Sequence, residues 1–430
     1  MGTSRGRRAR GGRRGRVTGW LVIGGLSVAL VGSLVFALAQ AQVEGLLGLG
    51  AGGTPSNSAP ASATPSATPT PTPVAQGVDS KMMIVGDVFW GRYINDWSQA
   101  SGLGPAYPFQ RLGDFDRGSY DAWIADLECP VTSNPKVPSS VEDDTLMFDC
   151  DPAYLPEAKK WFDVVTLANN HTDNQGGQVG LDETRKHLAD NGIQHFGTFD
   201  PERHDELCDV IGMPARVTLS DGRIEQGKLP MVWCGYHGVF KTPSAESIAV
   251  VGRYADRFPV IAMPHSGAEY KAGPDEIKTT FYRGLIDAGA DVVIGDHPHW
   301  VQSTEAYQGK LILYSLGNFI FDQQFNTEVT RSAVLTMEVS TKATTPAEER
   351  LLEQWLALGE SCATWADDCL GQATSSGLTK LPLSYHFSVR SSDNSGKLVK
   401  AGSAEQDASL RERLSWATTI AGLSGANSGE

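Results

Sequence analysis

Five times along this chain a short apolar run breaks off in residues that can hold a metal ion or move a proton, and this recurrence constrains the fold more than any other feature. The clearest case is Asp291 to Gly295, followed at once by Asp296, His297, Pro298 and His299. A run this short and rich in β-branched residues, preceded by a helical pattern and a glycine, reads as a buried strand of a parallel sheet. Its carboxyl end carries two imidazoles, and in open α/β sheets that end is where ligands bind. Pro298 forbids a helix between them and holds the chain extended or turned, so two neutral imidazoles can face one or two nearby metal ions.

The other runs follow the same plan. MMIVGD ends in Asp87, and AWIADLE has a strand at Ala122 to Ala125 that ends in Asp126, Leu127 and Glu128. Val164 to Ala168 runs into Asn169, Asn170 and His171, and the strand from Val260 ends at His265. Singly, each residue has a structural explanation as a helix cap, a turn residue or a satisfied histidine. Together, Asp87, Glu128, Asn170, His171, His265, His297 and His299 converge on one crevice if their strands are neighbours. Carboxylate, amide and imidazole ligands suit a divalent ion such as manganese, iron or zinc, and the chemistry they offer is metal-assisted hydrolysis.

Between the runs, helices are expected after Gln178, with Val179, Leu181, Thr184 and Leu188 inward and Gly192 as the stop, and after Pro274, with Ile277, Phe281 and Leu285 inward. Residues 200–229 read as a polar surface excursion with a hairpin turn at Ser220 to Gly222. Beyond Ala333 to Val339, the sequence predicts a helix over Pro346 to Leu358, a strand at LSYHFSVR and a helical tail near Ser409 to Ile420.

Charge decides the partner class. The chain has 36 Lys and Arg against 50 Asp and Glu, yet Arg5, Arg7, Arg8, Arg10, Arg13, Arg14 and Arg16 all lie in the first sixteen positions. The remainder is strongly acidic, which argues against a nucleic-acid partner. Residues 1–16 form a basic cytoplasmic tail before the apolar, uncharged stretch 17–41. That stretch is either an uncleaved transmembrane anchor, which its length favours, or a signal sequence cut after Ala39, Gln40 and Ala41. Either way the body is extracytoplasmic: single-pass and anchored in the cell membrane, or secreted after cleavage. Residues 42–78, which include ATPSATPTPTP, are a disordered Pro/Thr/Ser-rich linker. Six cysteines in an exported chain imply disulfides, and of about fifteen pairings the expectation is the sequential one, Cys129 with Cys150, Cys208 with Cys234 and Cys362 with Cys369.

GDVFWGR, DLECPVT, LANNHTDNQG, HSGAEY, GADVVIGDHPHW and YSLGNFIFD, in that order between about Lys81 and Gln323, resemble the CapA family of capsule-synthesis proteins. The resemblance implies an α/β fold: a two-sheet metallophosphoesterase-like sandwich flanked by helices over residues 79–340, preceded by the N-terminal transmembrane helix and disordered linker. Residues 341–430 are then a C-terminal extension packing on that domain. It further implies a role in poly-γ-glutamate capsule synthesis or export.

Carried over by motif, Asp87, Glu128, Asn170, His265, His297 and His299 resemble the metal ligands, with Glu128 in place of a bridging aspartate, and His171 the proton donor. The first motif lacks the histidine of DxH, HSG stands where HWG is common, and Asp296 adds a carboxylate beside His297. Arg92 and Asn318 are candidate substrate contacts, and Trp90, Tyr270 and Trp300 candidate rim or core aromatics. Two functions follow: a metal-dependent hydrolase with one or two ions, or a non-catalytic metal-binding component of a membrane complex that handles an anionic polymer.

Overall fold

The computed structural model describes residues 72–362 and 368–430. The basic tail, the apolar stretch 17–41 and linker residues 42–71 lie outside them. No helix among the described residues is long and apolar enough to cross a membrane.

Among the described residues fourteen strands are formed. In chain order they are β1 Ala75–Val88, β2 Ala122–Leu127, β3 Val164–Thr166, β4 Gln194–Phe196, β5 Cys208–Leu219, β6 Ile224–Gly238 and β7 Val260–Ser266. The rest are β8 Val292–Ile294, β9 Thr304–Tyr307, β10 Lys310–Leu313, β11 Arg331–Lys342, β12 Ser384–Asp393, β13 Lys400–Ala401 and β14 Asn427–Gly429. All belong to one mixed sheet that branches at β1.

The branch follows from the length of β1. Its first residues, to Asp79, pair antiparallel with β5, while Met82 to Val88 pair in parallel with β2; β11 lies antiparallel on its other edge. One arm continues in parallel through β3 to β4. The other runs β5, β6, β7, β8, β10, β9, with β6, β7, β8 and β10 parallel. Alternation along β1 shows which faces are covered. Met82 and Ile84 enter an apolar cluster with Met231, Trp233 and Ile261 of the second arm, whereas Met83 and Val85 enter another with Trp123, Leu181 and Leu188. A strand buried on both faces reads as an unbroken apolar run, as MMIV does. The expected two separate sheets are therefore two arms of one hydrogen-bonded sheet.

Three boundaries move. Ala75 to Val78, assigned to the linker, are the start of β1. The expected surface excursion contains β5, which forms a long hairpin with β6 around the Ser220 to Gly222 turn, where Gly222 has φ +84°. Residues 341–430 do not merely pack on the domain, because β12 pairs with β11 from Arg331 to Ser340 and extends the sheet.

Both helical stripes hold except at their first residues: Leu181, Thr184 and Leu188, and Phe281 and Leu285, face inward as expected. Val179 and Ile277 are exposed, and Gly180, Lys278 and Tyr282 are buried in addition. The Gln178–Asp190 helix does stop at Asn191, with Gly192 at φ +71°. Helix Pro346–Ser361 opens with a capping box between Thr345 and Glu348, and the C-terminal tail breaks into two helices at Ser415. Disulfides join Cys129 to Cys150, Cys208 to Cys234 and Cys362 to Cys369, the pairing in sequence order.

Candidate metal centre

The carboxyl ends of β1, β2, β3, β7 and β8 meet, and each delivers its polar residue to one buried cluster. Gly86 makes the first step possible. A Cβ there would come within 2.0 Å of the Gly317 carbonyl and 2.9 Å of Asp296 Oδ1, so only glycine lets the turn after β10 cross the end of β1. The amides of Phe319 and Ile320 then donate to the Asp87 carbonyl at 2.9 and 3.2 Å. Asp87 is thereby set beside Asn318 and His299.

His297 and His299 occupy the left-handed region at φ +93° and +57°, where non-glycine residues are strained. The Pro298 carbonyl between them accepts from the Tyr270 amide at 2.9 Å, and Ser266 N donates to Asp296 O at 3.2 Å. These bonds hold the strained turn against the end of β7.

The cluster's hydrogen bonds assign its protons. Asn169 Nδ2 donates to Asp126 Oδ1 and to the Leu127 carbonyl, both at 2.8 Å, so Asn169 braces the loop. Asp126 Oδ2 lies 2.6 Å from His265 Nδ1. Burial holds His265 neutral, down to about 3. With Asp126 ionised, Nδ1 carries the proton, so Nε2 and Asn170 Oδ1, 2.7 Å apart, face each other as two acceptors with no proton between them, as co-ligands of a cation do; His297 Nδ1 and Glu128 Oε1 lie 3.1 and 3.7 Å from Nε2. On the other side, His299 Nδ1 lies 3.1 Å from Asp87 Oδ2 and 2.8 Å from Asn318 Oδ1.

Burial leaves the carboxylates short of positive charge. Glu128 Oε1 and Oε2, Asp87 Oδ1 and both oxygens of Asp296 are buried without a hydrogen-bond donor. Burial, then the charges of Asp87, Asp126 and Asp296, push Glu128 well above the usual carboxylate range; burial and the Asp87 charge do the same to Asp296. Burial raises Asp126 to about 7.

A divalent cation supplies what these orphaned oxygens lack. Three residue sets could hold one, each with its ligating atoms within 4.8 Å of one another: Asp87, Glu128 and His299; Glu128, His265 and His297; and Asp87, Asp126 and His265. Glu128 is common to the first two.

The other expected site residues take different positions. His171 stacks on Phe148 at 3.8 Å and faces Glu128 Oε1 from 3.8 Å. Asn174 Oδ1 already accepts from the Phe148 amide, so His171 Nδ1, 2.9 Å away, is a donor to it. Burial lowers His171 to about 3, so the residue expected to give a proton is neutral and must first accept one at Nε2.

Arg92 is not free to contact substrate. Its guanidinium forks onto buried Asp322 at 2.9 and 2.5 Å and lies 4.4 Å from the Phe148 ring centroid. Asn318 is fully buried and donates to Gln323 and the Val329 carbonyl, so it orients His299. Trp90 is a core residue, while Tyr270 packs 5.8 Å from His299.

Asp126 was missed as a ligand candidate. The signal was present: it stands two residues before Glu128, so both fall on one side of an extended chain.

Fold and site define a mixed α/β protein with a buried acidic and imidazole cluster that fits a divalent metal. The chain matches the family described as "Bacterial capsule synthesis protein PGA_cap" over residues 81–219 and 240–323, and it belongs to that family. It is 27% identical over 252 residues to the "PGA biosynthesis protein CapA" of Bacillus subtilis (strain 168), a match covering 56% of this chain and 62% of that one. The "Capsule biosynthesis protein CapA" of Bacillus anthracis is 27% identical over 251 residues, with 56% and 60% covered. A "Probable polyglutamine synthesis accessory protein" of Mycobacterium tuberculosis (strain ATCC 25618 / H37Rv) is 32% identical over 177 residues, covering 37% and 46%. The chain thus spans about three-fifths of the length of the two Bacillus relatives.

Proposed function

We propose that this chain is a membrane-anchored, extracytoplasmic component of poly-γ-glutamate capsule synthesis or export, and that its buried cluster is a metal-dependent hydrolase site. The observation that carries the reading is Glu128, a carboxylate whose two oxygens lack any donor and which two candidate metal sets share. Glu128 with Asp87 and His299, and with His265 and His297, would hold one or two divalent ions, which would supply a water of lowered pKa and stabilise charge on the reacting oxygens.

The chain's own residues supply the rest. Asp126 fixes the His265 tautomer, Asn318 and Asp87 orient His299, and His171 offers Nε2 to take up a proton that it can return to the leaving group. Asn170 and His171, 9% and 8% exposed, are the most open members of the cluster and mark the side from which a substrate enters. The bond cut is a phosphoester or an amide of the capsule polymer. The acidic body repels an anionic chain, so binding depends on positive charge at the site itself.

Residues 17–41 anchor the chain, the two-armed sheet corresponds to the two layers of a metallophosphoesterase-like sandwich, and manganese, iron or zinc is the metal class. A second reading, in which the site serves assembly without catalysis, draws support from the mycobacterial relative's name as an accessory protein.

Metal content by mass spectrometry on the full chain, purified without chelators beside His297→Ala and Asp87→Asn, tests the hydrolase reading. About two ions per chain, lost in both variants and accompanied by hydrolysis of a phosphoester or γ-glutamyl amide, is the expected result. A parent that takes up no manganese, iron or zinc sinks it.

A further inference from the structure

Beside His265, on the far side of Ser266, the ends of β6 and β7 and the helix Glu276–Asp287 enclose a pocket of about 220 Å³. At its floor lies Lys278, only 2% exposed, whose Nζ has no hydrogen-bond or ion-pair partner. The ammonium sits 5.2 Å from the Tyr282 ring centroid. Burial pulls it down to about 7, against the opposing pull of Asp296 and Asp87.

Packing holds the Lys278 side chain against the pocket wall. Gly267 forms the wall at φ +103°, and a Cβ there would come within 3.0 Å of Lys278 Cδ and 3.5 Å of Nζ. The helix terminus is not the attraction, because Asp275 Oδ1 already accepts from the Lys278 amide at 2.8 Å. Nor is Lys241 on the rim, whose Nζ is held 3.0 Å from Glu202.

Asp296 and Asp87 attract the ammonium from beyond ion-pair distance, so it is buried with no group in contact to share its charge, which costs stability. What remains is a ligand that brings the missing charge. The pocket suits one carboxylate, since one cation unpaired among the described residues lines it and the Asp275 carboxylate on its wall keeps a second negative charge outside. It also favours an apolar stem: Phe240 and Ile277 stand 78% and 65% exposed on the rim, and Phe281 lines the inside.

We propose that this pocket is a subsite for one carboxylate with a short methylene stem beside it, as in the α-carboxylate and side-chain methylenes of a γ-linked glutamyl unit, with Lys278 as its counter-charge. The proposal deepens the preceding reading and rests on it for the choice of glutamyl polymer as the source. Ser266 directly follows the candidate ligand His265, so a unit held here lies beside the cluster.

The test is calorimetric titration of the full chain with glutarate, in phenanthroline so that no bound metal contributes and no carboxylate chelator competes. Glutarate is expected to bind the parent, with affinity falling about tenfold or more in Lys278→Met and about threefold in Phe240→Ala, whose exposed ring removes apolar contact without disturbing the core. Inorganic phosphate should not displace it. Failure of glutarate to bind the parent, or equal binding by Lys278→Met, overturns the proposal. Equal displacement by phosphate overturns the carboxylate assignment. Should Lys278→Met not fold, unchanged binding in Phe240→Ala overturns it. Metal content in Lys278→Met should match the parent: a parent without metal refutes the hydrolase reading alone, whereas metal lost only in Lys278→Met makes Lys278 part of the cluster and overturns the subsite.

Discussion

Asp126 Oδ2 lies 2.6 Å from His265 Nδ1, and this bond decides which nitrogen of His265 faces the cluster. Asn169 donates to the other oxygen of Asp126. An amide at position 126 would therefore keep its oxygen for Asn169 and turn its NH₂ toward His265, making Nδ1 the acceptor and putting a proton on Nε2. Asp126→Asn should lower metal affinity about 10- to 100-fold while leaving the fold intact. Metal titration followed by circular dichroism reads this; undiminished affinity would mean that His265 is not a ligand.

Glu128 predicts a sign reversal. Without metal its carboxylate is buried and opposed by Asp87, Asp126 and Asp296, so its folded pKa is raised and folding stability is lost as pH rises above about 4. Glu128→Gln removes that penalty. In chelator at pH 7.5 it should be more stable than the parent by about 1–3 kcal/mol, with the advantage shrinking toward pH 4. In saturating manganese the parent should become the more stable, because only it binds the ion. Urea melts at the two pH values, with and without metal, test both signs. A Glu128→Gln variant less stable than the chelated parent at pH 7.5 would contradict them.

Much of the site was legible because a strand end is a local event: an apolar run that stops in Asp, Asn or His places that side chain without knowledge of the rest of the fold. What was illegible depended on phase or on distance. Pro274 suggested a helix whose stripe began at Ile277; Phe281 and Leu285 do face inward, but the helix is capped by Asp275 and its first turn buries Lys278 and leaves Ile277 exposed. Neighbouring residues stand about 100° apart on a helix, so an i, i+4 stripe carries no sign that the lysine beside its first member is buried. The partner of Arg92 lies 230 residues away at Asp322, a pairing that no local pattern carries. The two arms of the sheet escaped for the same reason, since β1 runs longer than its apolar core and its first residues find β5.

The Cys129 to Cys150 disulfide joins two parts of the cluster. Cys129 follows Glu128, and Cys150 stands two residues after Phe148, on which His171 stacks. Replacing both cysteines with serine should cost about 2–4 kcal/mol and should also weaken metal binding, because Glu128 loses its tether. Replacing Cys362 and Cys369, which close a shorter loop away from the cluster, should leave metal binding unchanged. Equal metal affinity in the two double variants would show that the first disulfide serves stability alone.

Arg92 separates a structural role from substrate contact. Its fork onto Asp322 is bidentate, its amide donates to Glu142 Oε2 at 2.8 Å, and its guanidinium lies 4.4 Å from the centroid of the Phe148 ring that stacks on His171. Lysine keeps the charge but offers a point donor in place of a planar fork. One oxygen of Asp322, a buried carboxylate, would then lose its donor. Arg92→Lys should therefore destabilise the chain by about 2–4 kcal/mol, leave metal stoichiometry at the parent value and weaken a bound substrate only through a looser His171. Thermal melts beside metal analysis test this. Parent-like stability with a large, isolated loss of substrate affinity would return Arg92 to the binding surface.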